Sequence, residues 1–280
     1  MFGDSPLGET FMESSDMLNT ILERTSVRNF EKDKQVPDEV LEKILLAGIR
    51  SPSAGNIQPR TIIVVKDNAV KEQLYELCEH QGFMKSAPVW IVICVDLHRH
   101  LKASELTGVQ YDYTGMLPYT LGVLDAALSL ENMVIAAEAS GLGSVIIGSV
   151  IEHPEKVKEI LKLPDHCLAL SILCIGYPKK KLGAREKWDR KVIVCEDHYV
   201  DIDERDVSEY WKKSMTNDLK RGGKEVTEEI IEKFTSERNY GKTYASHYKE
   251  EFVKATNQKL MEFLRKHGFL KEIAVSKTNE

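Results

Sequence analysis

Residues 120–140 read TLGVLDAALSLENMVIAAEAS. Leu121, Leu124, Leu128, Val134 and Ala137 recur at mixed three-to-four spacing, and alanines fill other faces. That spacing is the period of an α-helix. A helix apolar on most sides has little to offer water, so it belongs in the middle of something. This one therefore predicts a single core built around it. Gly141 is placed to end it as a left-handed cap, and SVIIGSV follows directly as a strand.

The remaining elements fit around that helix. Residues 16–23 read as a short helix, broken by RTSVRNF. Pro37 opens a helix to about residue 49, in keeping with proline at a first turn. Residues 61–65 form a β-branched strand, 68–80 a helix and 87–95 a second buried strand. HPEKVKEILKL reads as a helix and CLALSILCIGYP as a strand. Beyond Pro178 the chain turns basic and irregular in KKKLGAREKWDRK, KVIVCE reads as a short strand, and from about residue 203 the rest is charged and helical. The expected division is a flexible extension over 1–16, a core over 17–200 and a helical arm over 201–280. There is no internal repeat. The 280 residues are ample for a buried core.

A net charge of −6 argues against a general nucleic-acid binder. No apolar run approaches spanning length, and the acidic start lacks the basic and apolar regions of a signal peptide. The five cysteines, Cys78, Cys94, Cys167, Cys174 and Cys195, form no CxxC pair. They read as buried free thiols, three of them (Cys94, Cys174, Cys195) in strand-like runs, in a reducing compartment. Together these features predict a cytoplasmic protein without a membrane or nucleic-acid partner. His98 and His100 read as solvent-facing or capping residues, and no paired metal-ligand spacing occurs.

Three stretches carry candidate chemistry. SPSAGNIQPR, residues 51–60, has almost no bulky side chain. Ser53, Ala54 and Gly55 leave backbone groups open to close approach, and the Asn56 and Gln58 amides are both donors and acceptors. A flat heteroaromatic ring fits that edge; a tight turn bonding its own backbone fits it too. In RTSVR, an extended chain would put Arg24, Ser26 and Arg28 on one face. That suits a phosphate monoester, or equally a surface pair balanced by Glu23 and Glu31. The glycines of GLGSVIIG close a helix and open a strand, the reverse of a dinucleotide fingerprint. Close helix–strand packing explains Gly141 and Gly143 but leaves Gly148 without a reason.

In order along the chain, RTSVRNF, SPSAGNIQP, AALSLENMVIAAEASGLGSVIIG and LCIGYP resemble the FMN-dependent nitroreductase family. QGFMKSAPVWIVICVDLHRHL, LGVLDAALSLENM, KEILKLPDH and YWKKSMTNDLKRGG resemble its branch of NADPH-dependent, oxygen-insensitive nitroreductases and flavin reductases. The resemblance covers roughly residues 19–270. It implies an α+β fold with a mixed central sheet flanked by helices, and an intertwined homodimer with two FMN sites built from both subunits. Arg24, Thr25, Ser26 and Arg28 match the family's phosphate and ribityl segment. Pro52, Ser53, Ala54 and Asn56 match the loop along the isoalloxazine, Gln81 a glutamine near the flavin, and Ile147, Gly148 and Ser149 backbone contacts to it. The family's basic segment after GYP matches loosely at Arg185-Glu186-Lys187, where Arg185, Lys187 or both would meet the phosphate. Relatives often carry an aromatic where this chain has Arg60, and no role carries over there. Arg221, with Lys220 and Lys224 beside it, matches a residue that reaches the extra phosphate of NADPH.

The implied activity is a two-step NAD(P)H oxidoreductase that passes two electrons to a nitroaromatic, quinone or flavin. The flavin carries the chemistry, and the sequence names no catalytic acid or base. Two other readings share the motifs: an FMN enzyme with another reduction, such as dehalogenation, and a non-catalytic flavin-binding redox sensor.

Overall fold

The computed structural model describes residues 14–270. The expected extension falls largely outside them. Helices α1 (Ser14–Glu23) and α2 (Asp38–Ile49) lead into strand β1 (Arg60–Val64), helix α3 (Asn68–Leu77) and strand β2 (Val89–Asp96). Helices α4 (His98–Leu106) and α5 (Met116–Ala139), strand β3 (Gly143–Ile147), helix α6 (Pro154–Leu161) and strand β4 (Cys167–Gly176) complete the central part. Then follow α7 (Arg190–Ile193), α8 (Glu204–Arg221), α9 (Glu228–Glu237), α10 (Tyr240–His247) and α11 (Glu250–Lys266).

The sheet has the order β1-β2-β4-β3, with antiparallel neighbours throughout. A single parallel bridge, Ser26 to Ser144, adds the segment after α1 to the β3 edge. Every residue of β2 is buried, which is why VWIVICVD is apolar without alternation. Its side chains divide by parity. Trp90, Val92 and Cys94, with Ile172 and Cys174 of β4, face Leu74 of α3 and Val157 of α6. Ile91 and Ile93, with Leu173 and Ile175, face Ile44 of α2 and Ala126, Leu130, Met133 and Val134 of α5. The sheet is thus covered by helices on both faces, an α+β arrangement with α5 against the core as expected.

Several local expectations need correction. Helix α5 starts earlier, at Met116, and is not buried all round: Leu124 and Leu128 are 54% and 44% exposed. It is also long and apolar enough, by length and composition, to cross a bilayer, contrary to the expectation that no run approaches that length. Here it packs on α2 and the sheet and carries a buried Asp125. KVIVCE forms no strand. Arg190–Ile193 is one helical turn with Ile193 exposed, because a β-branched run without a neighbouring strand has no ladder to join. Cys195 is half-buried there and accepts a hydrogen bond from the Val200 N–H; the other four cysteines are buried and free. His98 opens α4, which went unread, and the His100 ring packs edge-on against Tyr111 and Tyr113.

The C-terminal arm closes back on the core. Phe263, Leu264 and Phe269 are buried with Val95, Leu97 and Leu168. Buried His267 adds polar pins, Nδ1 2.7 Å from Asp165 Oδ1 and Nε2 3.1 Å from Glu155 Oε2. Hydrogen bonds from His267 and Lys158 hold the Asp165 carboxyl below its usual range. Burial pulls Glu155 upward, but hydrogen bonds from Lys266 and His267 outweigh it and hold it low. Folded values below the unfolded ones of 3.8 and 4.5 mean a contribution that is full above those values and lost as pH falls through the folded ones. The melting temperature should therefore fall less steeply below about pH 4 in Asp165→Asn than in the unaltered protein. The difference should be a few degrees at most, because the Asp165 and Glu155 side chains are 63% and 44% exposed. Parallel melting curves across that range would remove these carboxylates as the acid-labile pins.

Candidate active site

The segment after α1 is held from two sides. The Val27 N–H donates to Ser144 O at 2.9 Å, and Lys179 N–H to Asn29 O at 3.0 Å. Gly143 permits the approach to β3, since a Cβ there would sit 2.4 Å from Val27 Cγ2. So placed, Thr25, Ser26 and Arg28 line a cavity of about 570 Å³ whose other wall carries Lys180, Arg185, Asp218 and Arg221. Arg221 Nη2 donates to Thr25 Oγ1 at 3.2 Å, and the Arg221 Nε is buried without a partner. Among the described residues lining the cavity, Asp218 is the one carboxylate, 3.5 Å from Arg185 and 3.4 Å from Arg221. Burial lowers the Arg28 pKa, and the positive charges of Arg185 and Arg221 lower it further. Four cationic side chains and one carboxylate line the cavity, so it holds net positive charge and an unused buried donor, which is what an anionic group requires.

Arg24 goes elsewhere. Its N–H still bonds Thr20 O as the last turn of α1, so the extended alternation begins only after it. Its side chain lines a second cavity with Glu138 and Lys181. Of Arg185 and Lys187, Arg185 lines the first cavity, while Lys187 is absent from its lining.

Ile147, Gly148 and Ser149 follow from β3, which the same segment bridges. Gln81 Nε2 donates to Ser149 Oγ at 3.3 Å. The Arg28 guanidinium lies 5.8 Å from the centre of the Phe83 ring, linking this group to the arginine cavity. Gly148 is exposed at φ −88, and a Cβ there would meet nothing within 4 Å. Neither backbone nor packing calls for glycine. Nearby Cys78 is no nucleophile: burial pushes its thiol up to about 11.

The loop Pro52–Asn56 does not line the arginine cavity. Ala54–Asn56 form one 3-10 turn in which Gly55 and Asn56 are left-handed, at φ 56 and 55; Gln58, at φ 57, follows. Ser53 Oγ accepts from Gln58 N–H at 2.7 Å and Asn56 Oδ1 from Gln58 Nε2 at 3.2 Å, so part of its polarity serves its own turn. Pro52, Gly55 and Asn56 are exposed. Beneath them lies a contact that sequence reading missed, the buried ion pair between Arg60 and Asp125 at 3.3 Å. Asp125, Ser129 and Asn132 form an i, i+4, i+7 polar stripe on a mostly apolar helix. Ser129 and Asn132 bond the Gly48 and Ala47 carbonyls at the end of α2. That stripe was the available signal.

The profile of the nitroreductase family matches residues 21–82 and 77–177. An oxygen-insensitive NADPH nitroreductase of Salmonella typhimurium is 30% identical over 244 residues, 87% of this chain and 94% of that one. The chain belongs to the nitroreductase family. Likeness to other proteins extends into the arm. A Bacillus subtilis FMN reductase (NAD(P)H) is 29% identical over 266 residues, 91% of this chain and 98% of that one. The structure of NfrA2 of B. megaterium superposes with a TM-score of 0.80 at 27% identity, covering 92% of this chain and 99% of that one. Arg185 and Arg221 lie beyond the residues the family profile matches, in the part shared with these longer relatives.

Proposed function

We propose that this nitroreductase-family chain is an FMN-dependent NAD(P)H oxidoreductase reducing small-molecule acceptors such as nitroaromatics, quinones or free flavins. Its relatives include an NADPH nitroreductase and an FMN reductase. The observation that carries the reading is the arginine cavity, with the buried, unpartnered Nε of Arg221; the exposed Gly148, which neither backbone nor packing requires, is consistent with it. Thr25, Ser26, Arg28 and Arg185 would hold the FMN phosphate, and Gln81, Ile147, Gly148 and Ser149 the near side of the ring system. Arg24 stays assigned to the phosphate segment's base, where it would need a different rotamer to reach the cavity. Bound FMN supplies the two-electron chemistry, taking hydride from the nicotinamide and passing electrons to the acceptor. The chain's own residues bind and orient.

A second copy completes the site. Met116, Leu117, Leu124 and Leu128 expose 44–71% of their surface along α5 and its start, an apolar face that a homodimer would cover. The partner would also bring its loop 52–56 to this chain's arginine cavity. Four buried free thiols and an NAD(P)H donor fit the cytoplasm. The test is the visible spectrum of purified protein before and after anaerobic NADPH. Flavin bands that bleach support the reading; a protein that stays colourless after added FMN removes it.

Three guanidiniums and Lys180 exceed what one phosphate monoester needs. Arg221, reaching in from α8, is therefore assigned to the extra phosphate of NADPH. Arg221→Ala should raise KM for NADPH about 10- to 100-fold, the cost of charge-assisted bonds to phosphate, and leave KM for NADH nearly unchanged. Equal effects on both donors would refute the assignment.

A further inference from the structure

We infer that Arg60 and Asp125 are positioning residues that hold loop 51–58 in the shape that receives the FMN ring; this rests on the proposed function. The pair is almost fully buried, Arg60 6% and Asp125 2% exposed. A buried ion pair adds little net stability over an apolar pair of similar size, so stability alone does not account for it. Its remaining hydrogen bonds do. Arg60 Nη2 donates to Ile49 O at 2.9 Å and Ser51 O at 3.4 Å, and Asp125 Oδ1 accepts the Ala54 N–H at 3.2 Å. Backbone groups on both sides of Pro52 and Ser53 are thus tied to one pair from below.

The loop needs that hold. Three left-handed residues lie within four positions, and Asn56 and Gln58 are not glycine. Such backbone persists where its surroundings over-determine it. Anchoring on the inner side turns the rim of Pro52, Gly55 and Asn56 outward, which is the side a flat ring would use. The guanidinium fork suits the task because it reaches a carboxylate and two carbonyls at once, which an ammonium on a flexible stem does not. Asp125 neutralises Arg60, so the anchor adds no net charge beneath the ring.

The test separates positioning from stability. Arg60→Met and Asp125→Leu each strand a buried charge and should lower the melting temperature. The double variant removes both charges at similar volume, and its melting temperature should return to within about 4 °C of the unaltered protein. Its apoprotein should nevertheless bind FMN about 10- to 100-fold more weakly, read by quenching of FMN fluorescence, with a shifted flavin absorption band. Arg60→Lys keeps the charge and the volume and should show the same loss of affinity, which covers the case of a double variant that does not fold. FMN affinity and spectrum unchanged in the double variant, or in Arg60→Lys, would overturn the positioning role alone. An unaltered protein that binds no FMN would overturn the functional reading and this one with it.

Discussion

Replacing Arg28 with alanine should weaken FMN binding by roughly 30- to 150-fold and leave the apoprotein no less stable. The two effects have opposite origins. In the free protein Arg28 is held in its charged form against burial and against the nearby charges of Arg185 and Arg221. Deleting it relieves that repulsion. With a phosphate present the same charge is an asset, because a forked guanidinium makes charge-assisted hydrogen bonds worth about 1.5–3 kcal/mol each. A net loss of about 2–3 kcal/mol corresponds to that range at 1.4 kcal/mol per decade. The measurements are fluorescence titration of the apoprotein with FMN and a thermal melt of the same sample. Affinity in the unaltered protein should also fall with ionic strength, since the cavity lies near the surface. A melting temperature that drops in Arg28→Ala would make the residue structural. Unchanged affinity would move the phosphate out of this cavity.

Gly148→Val is the complementary case, because it alters shape and not charge. The backbone there is ordinary, at φ −88, and a Cβ meets open space. The apoprotein should keep its stability within about 0.5 kcal/mol, as for surface changes that touch nothing. A ligand in that space would meet the new methyl groups, and forced overpacking costs about 1–3 kcal/mol. FMN affinity should fall roughly 5- to 150-fold, while binding of inorganic phosphate at the arginine cavity is retained. If FMN binds normally, the ring lies elsewhere. A destabilised apoprotein would mean that glycine serves the fold.

Much of the architecture was readable because it depends on local spacing. The buried strands VWIVICV and CLALSILCIG, the helix after Pro37 and the glycine cap after α5 all follow from properties of a few neighbouring residues. Helix α4 was missed because HRHLKASEL is short and mostly polar, with only Ser104 of its residues buried. KVIVCE misled for the converse reason: its composition suits a strand that has nothing to pair with. At the site, residue types were legible and their grouping was not. Arg28 and Arg185 share a cavity, while Arg24, two positions before Ser26, turns away at the end of a helix.

Composition and periodicity thus determined most of the strands and helices of the core, that one apolar helix lies against it, and which short stretches are too bare or too basic to be ordinary packing. Tertiary structure decided the pairings. Arg221 meets Thr25 across 196 positions and Arg60 meets Asp125 across 65. The physical reason is that secondary structure is set by torsions and by which face is apolar, both local properties. An ion pair or a shared basic cavity depends on which charges lose their water together, and that is settled only when distant segments pack.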